Sequence, residues 1–148
     1  QAAGFTLATS ELPRLRSQLE ATAGEELNGT ELSPSIQIDC EIAPALLDDA
    51  RNMGFIESLS PYGEGNPAPV FLTRNARIVA ARQVGKQKNH LKMKVAHGGK
   101  GWEAIAFRQG DTPAAPGDRV DLVYTAGMND WGGRRTLQLN VMDFRPAR

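Results

Sequence analysis

From residue 70 to the C-terminus, the chain consists of short segments in which apolar and polar residues alternate, separated by turns rich in glycine, proline and asparagine. A period of two is typical of strands that bury one face. The pattern predicts five strands, at residues 76–84, 90–96, 103–107, 119–126 and 134–143. The side chains expected to face inward are Leu91, Met93, Val95, Ile105, Phe107, Val120, Leu122, Tyr124, Leu137, Leu139 and Val141.

Five short antiparallel strands within about 75 residues are what a small closed barrel needs, and the OB-fold is the leading candidate. The predicted fold class is mainly β, with a five-stranded OB-fold barrel preceded by a helical and strand segment. In this fold the ligand lies across strands 2 and 3, between the loops that join strands 1–2 and strands 4–5. We expect those loops, at residues 85–89 and 128–133, to lie on the same side of the barrel.

A basic segment covers the first part of the predicted barrel. Residues 71–102 contain eight Lys and Arg residues and no Asp or Glu, although the net charge of the whole chain is zero. Like charges repel, and a polyanion is the expected partner because each neutralised phosphate releases counterions. The candidate interface residues in the turn and on the polar face of the second strand are Lys86, Lys88, His90, Lys92 and Lys94.

The loop between the fourth and fifth strands is a second candidate surface, since it carries Trp131, Arg134 and Arg135. A tryptophan at a hairpin tip is expected to be exposed, where it can stack on a base. Lysine contacts to phosphate do not read sequence, so binding is expected to be independent of base identity. Trp102, which also lies next to glycine, is compatible with either a core position or an exposed one.

The first part of the chain differs from the second in charge. Residues 1–54 carry three Lys and Arg against nine Asp and Glu, whereas residues 55–148 carry fourteen against eight, which suggests two functional halves. The pattern predicts a helix capped by Ser10, a strand at 36–42 that buries Cys40, and a helix that begins at Pro44. The expected organisation is three parts, at residues 1–35, 36–69 and 70–148.

A loop with three prolines and two glycines, at residues 61–71, separates the second helix from the barrel. Such a segment is neither a helix nor a central strand, because glycine permits positive φ and proline fixes the stretches between turns. We expect it to hold the barrel against the preceding helix. The residues that define it are Tyr62, Gly63, Gly65, Asn66 and Pro67.

Several classes of protein are disfavoured by the sequence. A single cysteine cannot form an internal disulfide, which favours a reducing cytoplasm. No apolar run approaches the roughly 20 residues that a membrane span needs. His90 and His97 have no Cys or carboxylate neighbours at metal-ligand spacing, and no Ser-His-Asp arrangement or phosphate-binding glycine loop occurs. We therefore predict no catalytic residue, no metal site and no cofactor.

Three segments resemble the C-terminal part of the RecJ family, the single-stranded-DNA-specific exonucleases of bacteria. AAGFTL at residues 2–7 is similar to the end of that family's DHHA1 domain. SPYGEGNPAPVF at residues 60–71 is similar to its Gly-Asn-Pro signature, with Tyr62 where Phe is usual. Residues 76–146, with VGKQKNHLKMKV and NDWGGRRTLQL, resemble its OB domain.

The resemblance implies a parent that cleaves DNA 5′→3′ in repair and recombination, with Mg²⁺ or Mn²⁺ held by N-terminal DHH motifs. Those motifs do not occur in this sequence. What the resemblance implies for this chain is therefore a non-catalytic, monomeric module that binds single-stranded DNA beside the parent's catalytic domains. A protein-interaction module and a purely architectural barrel are the alternatives. Steep salt dependence would distinguish DNA binding from apolar peptide docking.

Overall fold

The computed structural model describes residues 4, 6–28, 33–131 and 133–148, with the backbone alone for Trp131 and Arg134. The chain divides into two compact units, Gln1–Ile36 and Gln37–Arg148. Part of the segment compared with the DHHA1 domain, at residues 2, 3 and 5, lies outside the described residues. No helix in the described ranges is both long and apolar enough to cross a bilayer.

The first unit contains a 3₁₀ turn, Thr9–Glu11, and helix α1, Leu12–Glu26. A proline in the first turn suits the start of α1, because the missing N–H would have no partner there. Ser10 lies inside the 3₁₀ turn and Glu11 occupies the N-cap of α1, so the expected Ser10 cap is wrong.

The second unit contains a closed five-stranded barrel, the OB-fold that the alternation predicted. The elements are β1 (Cys40–Glu41), α2 (Pro44–Leu47), α3 (Ala50–Ser58), β2 (Val70–Val84), β3 (His90–His97), β4 (Lys100–Ala106), β5 (Arg119–Trp131) and β6 (Arg134–Pro146). The strand order of the sheet is β1-β2-β3-β4-β6-β5, and pairing of β2 with β5 closes the barrel, while β1 adds to β2 in parallel. The pairs within the barrel are antiparallel except β4–β6.

The barrel interior holds the apolar residues that alternation assigned to it on β3, β5 and β6. On β4 the predicted phase is wrong. Trp102, Ala104 and Ala106 are buried, Ile105 is half-buried, and Phe107 is 56% exposed. Met93 pairs with Ala104, and Leu91 pairs with Ala106, so small residues on β4 leave space for larger ones on β3. Trp102 is thus a core residue, and its Nε1 has no hydrogen-bond partner among the described groups.

Strand β2 is long enough to pair with β5 through its first half and with β3 through its second. Its register shifts between Thr73 and Ala76, where Asn75 adopts a φ of +55°. The buried carboxylate of Asp121 accepts a hydrogen bond from Asn75 N at 3.0 Å and one from Arg74 Nη1 at 3.3 Å. Glu41 accepts from Arg74 Nε at 2.9 Å and, as the larger cause, raises the pKa of Arg74. This network holds the irregular part of β2 in place.

A buried hydrogen-bond chain crosses from β5 to the segment after β1. Thr73 Oγ1 donates to Ile42 O at 2.7 Å, so its only hydrogen is used. The Tyr124 hydroxyl, 2.9 Å from Thr73 Oγ1, is therefore the donor in that pair. Burial raises the pKa of Tyr124 to about 12, because the phenolate would lose its hydration.

The segment before the barrel is less regular than predicted. Only Cys40–Glu41 pairs as a strand, and Cys40 is exposed, so its predicted burial is wrong. The expected single helix is divided into α2 and α3, because Asp49 caps α3 by accepting from Arg51 N at 2.8 Å. Leu47 and Met53 from these helices join the barrel core.

The loop at residues 59–69 is organised by side-chain hydrogen bonds to its own backbone and to the backbone of α3. Asn66 Nδ2 donates to Leu59 O at 2.8 Å and to Pro61 O at 3.0 Å, and the Tyr62 hydroxyl donates to Ile56 O. The Ser60–Pro61 peptide is cis. Gly63 and Gly65 do not have positive φ, and a Cβ on either would meet open space, so the expected backbone reason for glycine is wrong at both.

Candidate nucleic-acid interface

The polar side of β3 faces away from the barrel. Leu91, Met93 and Val95 are buried, whereas Lys94 is exposed and Lys92 is half-buried between them. Alternate side chains of a strand point to opposite faces, so both lysines project outward. Strands β2, β4 and β6 add further side chains to the surface that these two lysines form.

Strand register arranges this surface in rows that run across β2, β3, β4 and β6. One row is Ala80, Lys94, Glu103 and Gln138, and the next is Arg82, Lys92, Ile105 and Asn140. One step further, His90 at the start of β3 contacts Phe107, which comes directly after β4. We call the following residues the outer face: Ala80, Arg82, His90, Lys92, Lys94, Glu103, Ile105, Phe107, Gln138 and Asn140.

The outer face is divided by charge. Its β2–β3 side carries the cations Arg82, Lys92 and Lys94, around a hollow of about 320 Å³. The side chain of Lys94 lies over Gly101, whose added Cβ would be 3.2 Å from Lys94 Cε. The β4–β6 side carries amides and apolar groups, apart from Glu103 at its border.

Three of the eight cations in the basic segment have carboxylate partners. Lys92 Nζ lies 3.1 Å from Glu103 Oε2, Lys100 pairs with Asp48, and Arg74 pairs with Glu41 and Asp121. The segment therefore has counter-charges from carboxylates outside residues 71–102, which its own sequence did not show. The cations without an ion pair to any described carboxylate are Arg77, Arg82, Lys86, Lys88 and Lys94.

The basic turn at residues 85–89 has a hydrogen-bonded backbone and exposed lysine side chains. Lys88 N donates to Gly85 O at 3.1 Å, and Gly85 has a φ of +92°, which favours glycine. Lys86 and Lys88 are exposed. The turn is attached to the loop after β4, because Gly110 N donates to Asn89 O at 3.1 Å. A Cβ on Gly110 would lie 2.3 Å from Lys88 O, so only glycine fits there.

His90 and Phe107 form an aromatic pair at the end of the outer face that is nearer to this turn. Their ring centroids are 5.2 Å apart with an interplanar angle of 72°, an edge-to-face contact. His90 Nδ1 accepts from Arg108 N at 3.0 Å, which places the proton of the neutral ring on Nε2. Sequence reasoning selects His90 but misses Phe107, because it assigns Phe107 to the core.

The β5–β6 hairpin lies at the opposite end of the outer face from the basic turn. Strand β6 runs parallel to β4, with Glu103 beside Gln138, so the hairpin at residues 131–134 is level with the β3–β4 turn. The basic turn is level with the other end of β4, about 25 Å away at 3.3 Å per residue. The expectation that these two loops lie on the same side is wrong.

The predicted residues of the hairpin are only partly described. Arg135 pairs with Glu57 of α3, and its Nε lies 3.9 Å from Asp130 Oδ1, so its charge is already balanced. The side chains of Trp131 and Arg134 lie outside the described residues. Throughout the described part of the chain, no group of three or more His, Cys, Asp or Glu residues is placed to hold a metal ion.

A family model and similar proteins of known sequence indicate one family. A family model described as the RecJ OB domain matches residues 38–143. The single-stranded-DNA-specific exonuclease RecJ of Bacillus subtilis is similar, with 30% identity over 146 residues, which cover 96% of this chain and 18% of that protein. The RecJ of Thermus thermophilus is also 30% identical over 146 residues, covering 98% of this chain and 20% of that protein.

A solved structure has the same fold over almost the whole chain. The crystal structure of RecJ in complex with Mn²⁺ from Thermus thermophilus matches with a TM-score of 0.70 and 26% identity, and covers 98% of this chain and 20% of that one. The chain thus spans about a fifth of the length of the relatives named here.

Proposed function

The chain belongs to the RecJ OB-domain family, and from this premise we propose that it is the single-stranded-DNA-binding module of a RecJ-type exonuclease. The relatives carry the name single-stranded-DNA-specific exonuclease, which supports DNA as the ligand. The observation that carries the proposal is the outer face, where exposed cations that pair with no described carboxylate lie beside amide and aromatic groups. That combination suits a strand whose phosphates and bases are both accessible.

The phosphates bind the β2–β3 side of the outer face. Arg82 and Lys94 project there without a described ion pair, and Lys86 and Lys88 extend the same charge from the turn. These contacts are electrostatic and carry no sequence information, so affinity depends on length and salt rather than on base order.

The remaining site residues predicted from the sequence have different roles within this proposal. Lys92 binds a phosphate in place of its ion pair with Glu103. Arg135 does so in place of its ion pairs with Glu57 and Asp130. Trp131 and Arg134 stay proposed contacts at the far end of the face. Tyr62, Gly63, Gly65, Asn66 and Pro67 are proposed to have structural roles, with Asn66 and Tyr62 acting through the hydrogen bonds given above.

Cleavage belongs to other parts of the parent enzyme in this proposal. Mg²⁺ or Mn²⁺ is needed there, in a catalytic domain that acts 5′→3′ during DNA repair and recombination in the cytoplasm. The present module holds the strand and directs it to that domain, as a monomer.

Fluorescence anisotropy of labelled oligo-dT tests the proposal with the 148-residue chain. We expect binding that weakens steeply between about 50 and 200 mM salt, by about 0.7 in log–log slope for each phosphate contacted. Lys94→Ala should weaken binding and make the slope shallower by up to about 0.7. Lys100→Ala is a matched control, because Lys100 is not one of the outer-face residues and its charge is already paired with Asp48.

Two outcomes would contradict DNA binding. Absence of any salt-dependent binding at about 50 mM salt would favour the architectural alternative. Binding of a peptide partner with little salt dependence, and no binding of oligo-dT, would favour the interaction-module alternative.

A further inference from the structure

Phe107 is an exposed phenylalanine whose position is fixed by its neighbours. It is 56% exposed and comes directly after Ala106, the last residue of β4, and the next residue, Arg108, adopts a φ of +59° in a turn. The backbone N–H of Arg108 also donates to His90 Nδ1. The backbone just after Phe107 therefore holds the imidazole ring of His90 beside the phenyl ring of Phe107. A single exposed apolar side chain is ordinary on a protein surface, but this ring is held in place beside the cations of the outer face, which makes it available for stacking.

His90 is itself held on two sides. Its Nδ1 accepts from Arg108 N at 3.0 Å, and its Cδ2 lies against Gly85, where an added Cβ would be 3.1 Å away. The 72° edge-to-face contact leaves His90 supporting one side of Phe107 while the phenyl group remains accessible to solvent. A ring fixed before binding loses little rotamer freedom when a flat group stacks on it.

The surroundings of Phe107 indicate what that flat group is. Ile105 and Asn140 occupy the neighbouring row of β4 and β6, and Lys92 lies across from Ile105 on β3. A ligand that spans these rows meets cations on one side and an aromatic ring with amides on the other. A nucleotide has this division, with a phosphate at one end and a stacking base at the other.

We propose that Phe107, supported by His90, is a base-stacking contact of the outer face, with phosphates on the β2–β3 side and bases on the β4–β6 side. The inference rests on the proposed DNA-binding function and adds the orientation of the strand across the sheet. Stacking on phenylalanine does not discriminate between bases, so the contact adds affinity without sequence preference.

Phe107→Ala tests the stacking contact with two labelled ligands, oligo-dT and an abasic deoxyribose-phosphate oligomer of the same length. On oligo-dT we expect binding at least about fivefold weaker, the lower limit for one base–aromatic stack, with an unchanged salt slope. On the abasic oligomer the variant and the parent should bind equally. Phe107→Trp should retain or increase the affinity for oligo-dT.

Phe55→Ala is the matched control, because Phe55 is 69% exposed on α3 and is not part of the outer face. It should bind both ligands as the parent does. Equal binding of oligo-dT by Phe107→Ala and the parent would overturn the inference, and so would an equal loss on the abasic oligomer. Failure of the parent chain to bind either ligand would instead overturn the proposed DNA-binding function.

Discussion

At the scale of single residues, Glu103 is the group that most changes how the basic surface is understood. Its carboxylate lies 3.1 Å from Lys92 Nζ, on the same row as Lys94. A phosphate that approaches Lys92 must therefore compete with a carboxylate already in place. Because both partners are partly exposed, the ion pair itself is worth no more than about 1 kcal/mol.

Glu103→Gln should tighten the binding of oligo-dT, by roughly two- to fivefold at low salt, because it releases Lys92 and removes a repulsive charge. The gain should diminish as salt is raised, and anisotropy titrations at two salt concentrations measure it. Glu64→Gln makes the same change in net charge in an exposed loop and should give a smaller effect. A weaker affinity for Glu103→Gln would show that Glu103 supports the interface rather than competes in it.

Tyr124 gives a prediction for stability at high pH. Its pKa is about 12 in the folded protein against 10.0 for the free side chain, so the unfolded chain ionises first. The associated stability is complete below pH 10 and is lost as pH rises towards 12, on the order of 2–3 kcal/mol. Tyr124→Phe should lose less stability over this interval, as measured by urea unfolding. Equal losses in both proteins would contradict the assignment.

At the scale of elements, the loop at residues 59–69 contains one signature residue that makes hydrogen bonds, Asn66, and one whose missing side chain would meet open space, Gly65. Asn66→Ala should lower the free energy of unfolding by about 1–3 kcal/mol, because Leu59 O and Pro61 O lose their side-chain donor. Gly65→Ala should change it by less than about 0.5 kcal/mol, since its Cβ would meet open space. Urea unfolding of the two variants gives the comparison, and a larger effect at Gly65 would contradict it.

The alternation within single strands is sufficient to predict the barrel, but not the relation between strands. On β3 it places Lys92 and Lys94 outside because apolar residues clearly occupy the other face. On β4 large apolar residues occur on both faces, with Trp102 on one and Ile105 and Phe107 on the other. Glu103 shares the face of Ile105 and Phe107, and this carboxylate is the one local signal that the face points outward. Sequence reasoning gives it less weight than the two apolar side chains, whereas the packing of Ala104 and Ala106 against β3 fixes the phase.

Pairing between strands that are distant in sequence explains the other points at which the structure differs from the sequence prediction. The parallel β4–β6 register sends the hairpin to the far end of the outer face, a consequence of barrel closure rather than of any local motif. Likewise, Lys92 and Glu103 are neighbours only through the β3–β4 pairing. The alternation around Cys40 predicts a strand interior, whereas pairing there extends over two residues and leaves its side chain exposed.

At the scale of the whole molecule, the chain is predicted to bind without cleaving. A 5′-labelled oligo-dT incubated with the protein and Mg²⁺ or Mn²⁺ should remain intact, because metal-assisted hydrolysis requires a cluster of ligands and none is found among the described residues. Gel electrophoresis of the labelled strand measures this. Degradation that is abolished by EDTA and that follows the protein through successive columns would contradict the prediction.

The closure of β2 on β5 also bears on how the protein behaves in a crowded solution. A barrel leaves few unpaired backbone groups along its strands, and such groups are what another chain uses to add itself to a sheet. In the second unit the sheet ends at β1, where two residues pair with Phe71 and Leu72 before Pro44 begins α2. An edge this short offers almost no template, so we expect the long strands of the barrel to resist edge-to-edge aggregation.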